Sequence, residues 1–247
     1  MNRRSYIGAL GAAGAAGLSG CLGDSFGNPL SSGDSDTVLD PPEQASGDPS
    51  YPIHGEEFPS FSIPDPIAET TVSLDDFVGE RPFVMTYFFT TCPDGACPAL
   101  LLRLRQVQED AVEHGYSDDV GLLAFTFDPE RDTPDILREY ATERSIDYEA
   151  DNWHFLRPDT YDEAETLASD TFGLALRRVD EDDDHDHDHD HDDDHDHGEY
   201  TFGHNNLITL VNEDGIVERA YDGAVQSDRE VSPETVVEEM RTIIGVE

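Results

Sequence analysis

From Pro82 to Phe89 the chain reads Pro-Phe-Val-Met-Thr-Tyr-Phe-Phe, an almost unbroken apolar, β-branched and aromatic run. It predicts a central strand buried on both faces, because a strand with one wet face would alternate. Leu100, Leu101, Leu104, Val107 and Ala111 then recur at helical spacing, with Pro98 placed as the first helical residue and Gly115 as the stop. A second apolar run, Val120 to Phe127, predicts another strand. It leads into Asp128-Pro129-Glu130-Arg131-Asp132-Thr133-Pro134, where Thr133 caps and Pro134 opens a helix to about Ile146. Trp153 to Leu156 reads as a short strand and Asp159 to Phe172 as a helix. Asn206–Val211 and Ile216–Tyr221 form a hairpin across Asn212-Glu213-Asp214-Gly215, and Ser232-Pro233 opens a terminal helix. Alternation of strands and helices past residue 66 predicts an α/β domain with a central mixed sheet flanked by helices.

The N-terminus lies outside this pattern. Arg3-Arg4 precede a weakly apolar Gly/Ala stretch ending in Leu18-Ser19-Gly20-Cys21, which reads as a twin-arginine export signal closing in a lipobox. The stretch is too short and too Gly-rich to span a bilayer stably. Residues 1–20 are therefore expected to be a signal, with Cys21 as the lipid anchor on the extracytoplasmic face of the cell membrane. Residues 21–54, rich in Gly, Ser, Asp and Pro, are expected to be a flexible tether. Residues 55–247 are expected to form the folded domain.

Charge changes the picture of the surroundings more than that of the fold. The formal net charge is −42, and all fourteen basic residues are arginine. This argues against a nucleic-acid partner. It fits a chain adapted to concentrated salt, a halophilic source, where screening shortens to about 3 Å at about 1 M. Between 180 and 198 the chain is almost wholly Asp and His, and His185, His187, His189, His191, His195 and His197 are six of its ten histidines. Such a tract predicts a disordered insertion. It is either a solvated acidic loop or a weak collector of Cu(II), Ni(II) or Zn(II), and histidine at alternate positions favours the collector.

Beyond Cys21 two thiols remain, Cys92 and Cys97, in Thr-Thr-Cys-Pro-Asp-Gly-Ala-Cys-Pro at a strand-to-helix turn. A helix N-terminus stabilises a thiolate, so Cys97 is expected to have the lowered pKa. Two thiolates plus the imidazole of His204 make a soft set suited to Cu(I). A structural disulfide or an inert buried pair is the plain alternative for an exported chain.

Strand, Cys-containing turn, helix, strand, helix, hairpin and final helix is the order of the thioredoxin fold. In thiol-disulfide oxidoreductases of that fold a cis-proline precedes the hairpin. Here no proline lies between Glu199 and Val211, and His204 stands in that segment instead.

The chain resembles the SCO/SenC family of copper-binding, membrane-anchored proteins, in a haloarchaeal-type lipoprotein form. The likeness rests on Tyr87-Phe88-Phe89-Thr90-Thr91-Cys92-Pro93-Asp94 with Cys97-Pro98, on the stretch Thr126–Pro134 with Leu137 and Tyr140-Ala141, and on Gly203-His204 leading into Leu207–Gly215. It covers roughly residues 55 to 245 apart from the tract. The resemblance implies a thioredoxin-like fold, with copper, as Cu(I) and also Cu(II), held by Cys92, Cys97 and His204. It implies delivery to the copper-bearing subunit of a haem-copper oxidase, a metallochaperone more than an enzyme. Asp128 is implied as an influence on copper binding or partner contact; a turn residue setting up the next helix is the equal alternative. The family has three residues between its cysteines, and this chain has four, which puts the family's ligand angles in doubt. The second function in view is a thiol-disulfide reductase that keeps the oxidase's copper-site cysteines reduced, with Cys92 and Cys97 as attacking and resolving thiols.

Overall fold

All six residues of the central strand, β3 (Phe83–Phe88), are buried, as the unalternating pattern requires. The ring contacts show why both faces are apolar. Tyr87 packs with Phe125 and Phe172, while its neighbour Phe88 packs with Tyr140 and Phe155 on the opposite face. In this computed structural model residues 37–42, 48–180 and 200–246 are described. The expected signal, Cys21, the first part of the tether and the six tract histidines lie outside them.

β3 is the middle of a five-stranded mixed sheet. It pairs in parallel with β4 (Gly121–Thr126), which pairs in parallel with β5 (Trp153–Leu156). On its other side β3 pairs antiparallel with β8 (Leu207–Val211), which pairs antiparallel with β9 (Val217–Asp222). Two small antiparallel pairs flank it: β1 (Ser62–Asp65) with β2 (Thr70–Ser73), and β6 (Arg177–Asp180) with β7 (Tyr200–Gly203). Neither pair is visible in the hydrophobic pattern. Each strand has only four residues, and a prolyl residue stands within β1.

The helices are α1 (Ala96–His114), α2 (Pro134–Glu143), α3 (Tyr161–Thr166) and α4 (Pro233–Ile244). Thr133 and Ser232 cap α2 and α4 as expected, each with proline at the first turn. Three boundaries differ from the sequence reading. α1 begins at Ala96, two residues before Pro98, because Gly95 takes a left-handed conformation and Asp94 accepts the Ala96 amide. Proline in the first turn still forfeits no helical hydrogen bond. α2 ends at Glu143, and α3 gives way after one and a half turns to a π-helical segment, Leu167–Thr171. α1 packs on α4, where Arg241 binds Asp110 through two bonds of 2.7 Å.

Part of the segment 21–54 expected to be a tether packs on the domain instead. Tyr51 is buried, and the amides of Val38 and Leu39 donate to the wholly buried Glu218 at 2.7 and 2.9 Å. Gly173, at φ +69°, lies so close to this segment that a Cβ there would stand 2.1 Å from the Ser50 carbonyl oxygen. One aromatic anchor and backbone amides accomplish this docking, and a tether-like composition conceals both.

Candidate metal centre

β3 and β4 end side by side, and the loops leaving their C-terminal ends carry the chemistry, as the open α/β sheet favours. Asp132 joins these two loops. Its buried carboxylate accepts from the Thr90 amide at 3.2 Å and from the hydroxyls of Thr90 and Thr126. Burial pushes its pKa up to about 6 against the pull of these donors, and the charge of Asp128 adds to the rise. Two residues after Thr90 stands Cys92.

The two cysteines are reduced and unlike each other. Cys97, in the first turn of α1, is wholly buried, and burial raises its pKa well above the thiol value. Cys92 is half-buried and its pKa is lowered, chiefly by hydrogen bonding from the Cys97 thiol, with burial opposing. The Cys97 amide also donates to Cys92 Sγ at 3.3 Å. The expectation that Cys97 would be the activated thiol is therefore corrected. The helix start turns its free amide onto the other sulfur, and burial outweighs the dipole at Cys97 itself.

His204 follows β7 directly. Its Nδ1–H donates to the Asn205 carbonyl at 2.7 Å, which leaves the Nε2 lone pair facing Cys97 Sγ at 3.8 Å. Phe127 and Phe89 wall the imidazole at centroid distances of 4.8 and 6.1 Å. Burial lowers its pKa, so the ring is neutral, the form that binds a metal.

These three groups, far apart in sequence, meet at one end of the sheet. Among the described residues no three Cys, His, Asp or Glu side chains already enclose an ion. Instead Cys97 with His204, and Cys92 with Asp94 at 3.0 Å, form two adjacent pairs. An ion at about 2.3 Å from sulfur and about 2.0 Å from nitrogen bridges a 3.8 Å gap, so the Cys97–His204 pair fits a soft metal as it stands. Cys92, on the turn that ends at the left-handed Gly95, stands outside that pair, beside Asp94.

Asp128 is buried but touches none of these ligands. It accepts from Arg131 Nε at 2.5 Å and from the Tyr200 hydroxyl at 2.9 Å, while Arg131 also donates to the Tyr200 carbonyl at 2.8 Å. The Tyr200 ring lies between the guanidiniums of Arg131, at 3.8 Å, and Arg178, at 3.5 Å. Asp128 thus meets the strand that leads to His204 rather than the sulfur and nitrogen donors themselves. A groove of about 1030 Å³ along β9 includes Asn205 but none of Cys92, Cys97 and His204.

The SCO1/SenC family model matches residues 59–244, three quarters of the chain and every residue of this cluster. The chain belongs to the SCO1/SenC family. It is similar to the SCO1 protein homolog of Bacillus subtilis, 26% identical over 152 residues, covering 62% of this chain and 67% of that one. Among solved structures it resembles Bradyrhizobium japonicum ScoI with copper bound, with a TM-score of 0.51 and 20% identity over 77% of this chain and 99% of that one. It also resembles BsSco, described as a Sco family cytochrome c oxidase assembly protein with a disulfide switch: TM-score 0.52, 21% identity, 83% of this chain and 100% of that one. At these identities the solved structures speak for the fold.

Asp94, Asp132, Phe127 and Tyr200 are site residues that the sequence reading did not single out. Asp94 and Asp132 sit inside quoted motifs, but only the fold shows which carboxylates face sulfur or strand ends.

Two outcomes follow from this geometry. Iodoacetamide at neutral pH modifies Cys92 at least about tenfold faster than Cys97, read by peptide mass spectrometry; equal rates would contradict the asymmetry. For Asp132, the native state holds the extra proton between 3.8 and about 6, so its contribution to stability falls as pH rises through that window. Relative to Asp132→Asn, the unsubstituted chain loses on the order of 3 kcal/mol across it, measured by denaturant unfolding at constant high salt. Parallel pH profiles for the two proteins would rule this out.

Proposed function

We propose that the chain binds copper as cargo through Cys92, Cys97 and His204 and hands it to the copper-bearing subunit of a haem-copper oxidase. The observation that carries this reading is the Nε2 lone pair of a neutral, partly buried His204 set 3.8 Å from Cys97 Sγ. Two sulfurs and one nitrogen suit the monovalent ion, and three donors leave room for an acceptor's ligand to enter during exchange. The copper-bound ScoI structure and the oxidase-assembly role of BsSco support the same reading. The lipobox at Cys21 would hold the protein at the membrane, where an oxidase resides.

A thiol-disulfide reductase is the second reading. Cys92, accessible and with a lowered pKa, has the makings of an attacking thiol, and the disulfide switch of BsSco gives this weight. Against it, Cys97 is buried and protonated, a poor resolving nucleophile until the turn opens.

Cys92→Ser, Cys97→Ser and His204→Ala each weaken Cu(I) binding by at least about 100-fold, measured by competition with a Cu(I) chelator in high salt. In the same titration, removing residues 182–197 takes away weak divalent equivalents and leaves the tight Cu(I) equivalent. Unchanged Cu(I) affinity in any of the three single variants would overturn that ligand's assignment, and robust disulfide turnover by a chain that never binds copper would favour the reductase. Mass spectrometry of the membrane-extracted protein shows a lipid adduct at Cys21; an unmodified Cys21 there would remove the anchor.

A further inference from the structure

Asp94 stands in the four-residue spacer, and its carboxylate is what the Cys92 thiol meets. Cys92 Sγ donates to Asp94 Oδ1 at 3.0 Å, and the Ala96 amide holds the same oxygen at 2.9 Å. Gly95, at φ 75°, turns the chain immediately after Asp94 and so sets this arrangement at the helix start. Asp94 and His204 also influence each other electrostatically. A proton shared by a thiol and a carboxylate marks a place where both stabilise a cation. With bonds of about 2.3 Å to sulfur and about 2.0 Å to oxygen, donors 3.0 Å apart subtend nearly a right angle at one ion. That is the relation of adjacent corners in the tetragonal coordination divalent copper prefers.

We propose that Asp94 is an oxygen ligand for the divalent ion, so that Cu(II) is held by Cys92, Cys97, His204 and Asp94, and Cu(I) by the three soft donors alone. This rests on the copper-site reading above and deepens it. A hard carboxylate discriminates between the two oxidation states because the divalent ion attracts it more strongly and the monovalent ion favours sulfur. A turn of this length lets a side chain between the cysteines fold back on the first sulfur.

The test compares the full chain with Asp94→Asn and Asp94→Glu, loading each with Cu(II) and, separately, with Cu(I). Sulfur-to-copper charge-transfer absorption reads the cysteine-bound Cu(II), and the Asp/His tract, lacking sulfur, cannot contribute to it. Electron paramagnetic resonance reads the donor set. Asp94→Asn lowers Cu(II) affinity at this site by about tenfold or more, shifts the charge-transfer band and the hyperfine splitting, and leaves Cu(I) affinity within about twofold. Asp94→Glu, which keeps the oxygen donor, recovers part of the Cu(II) affinity. Equal losses for both ions, or none for either, would reduce Asp94 to a helix-capping role and overturn the proposal. A wild-type chain that binds Cu(I) tightly but gives no sulfur-to-Cu(II) band overturns the Asp94 assignment alone. One that shows neither overturns the copper site itself.

Discussion

One carboxylate, Asp132, takes its donors from the ends of two neighbouring strands, and the placement of the cluster follows from it. Thr90 leads two residues later to Cys92, and Thr126 precedes Phe127, which walls His204. Arg157 adds the loop before α3 by donating to the Asp132 carbonyl at 2.8 Å. The carboxylate accepts from all of these threonine donors, yet a charge is costly to bury. The raised pKa of Asp132 is the measure of that cost.

The two cysteines divide the work that a symmetric pair could not. Burial keeps Cys97 protonated and its sulfur beside His204, so it is a poor nucleophile but a well-placed ligand once a metal displaces its proton. Cys92 is the accessible partner, drawn toward the thiolate by hydrogen bonds from Cys97 and restrained by Asp94. In the proposed copper role, such an arrangement would let the ion meet one sulfur before it engages the buried pair.

Scarce cations shape the remainder. Fourteen arginines face fifty-six acidic residues, and the fold concentrates its arginines at joints: Arg241 on Asp110 between α1 and α4, Arg103 on the Val231 carbonyl, Arg131 and Arg178 on either face of Tyr200. Guanidinium serves these joints because it stacks on rings and forks onto carboxylates, which an ammonium group does not. Bonds that are stacked or partly buried also survive the screening that weakens exposed pairs in salt. The Tyr200 joint matters most to the site, since β7 runs from it to His204.

The pattern of apolar residues by itself determined the central sheet. Strands buried on both faces and capped amphipathic helices leave local periodic signals, so β3, β4, β5, the β8–β9 hairpin, α2 and α4 were legible, and residue type singled out Cys92, Cys97 and His204 as candidates. The short pairs β1–β2 and β6–β7 were not, because four-residue strands have too little pattern to stand above loop composition. Nor was the docking of Tyr51, a single anchor in a tether-like segment. Which thiol is activated, which carboxylate faces sulfur and how Asp128 meets Arg131 and Tyr200 were decided by tertiary structure alone. Burial and hydrogen-bond direction set those properties, and both arise from segments that sequence keeps apart and only the folded chain brings together.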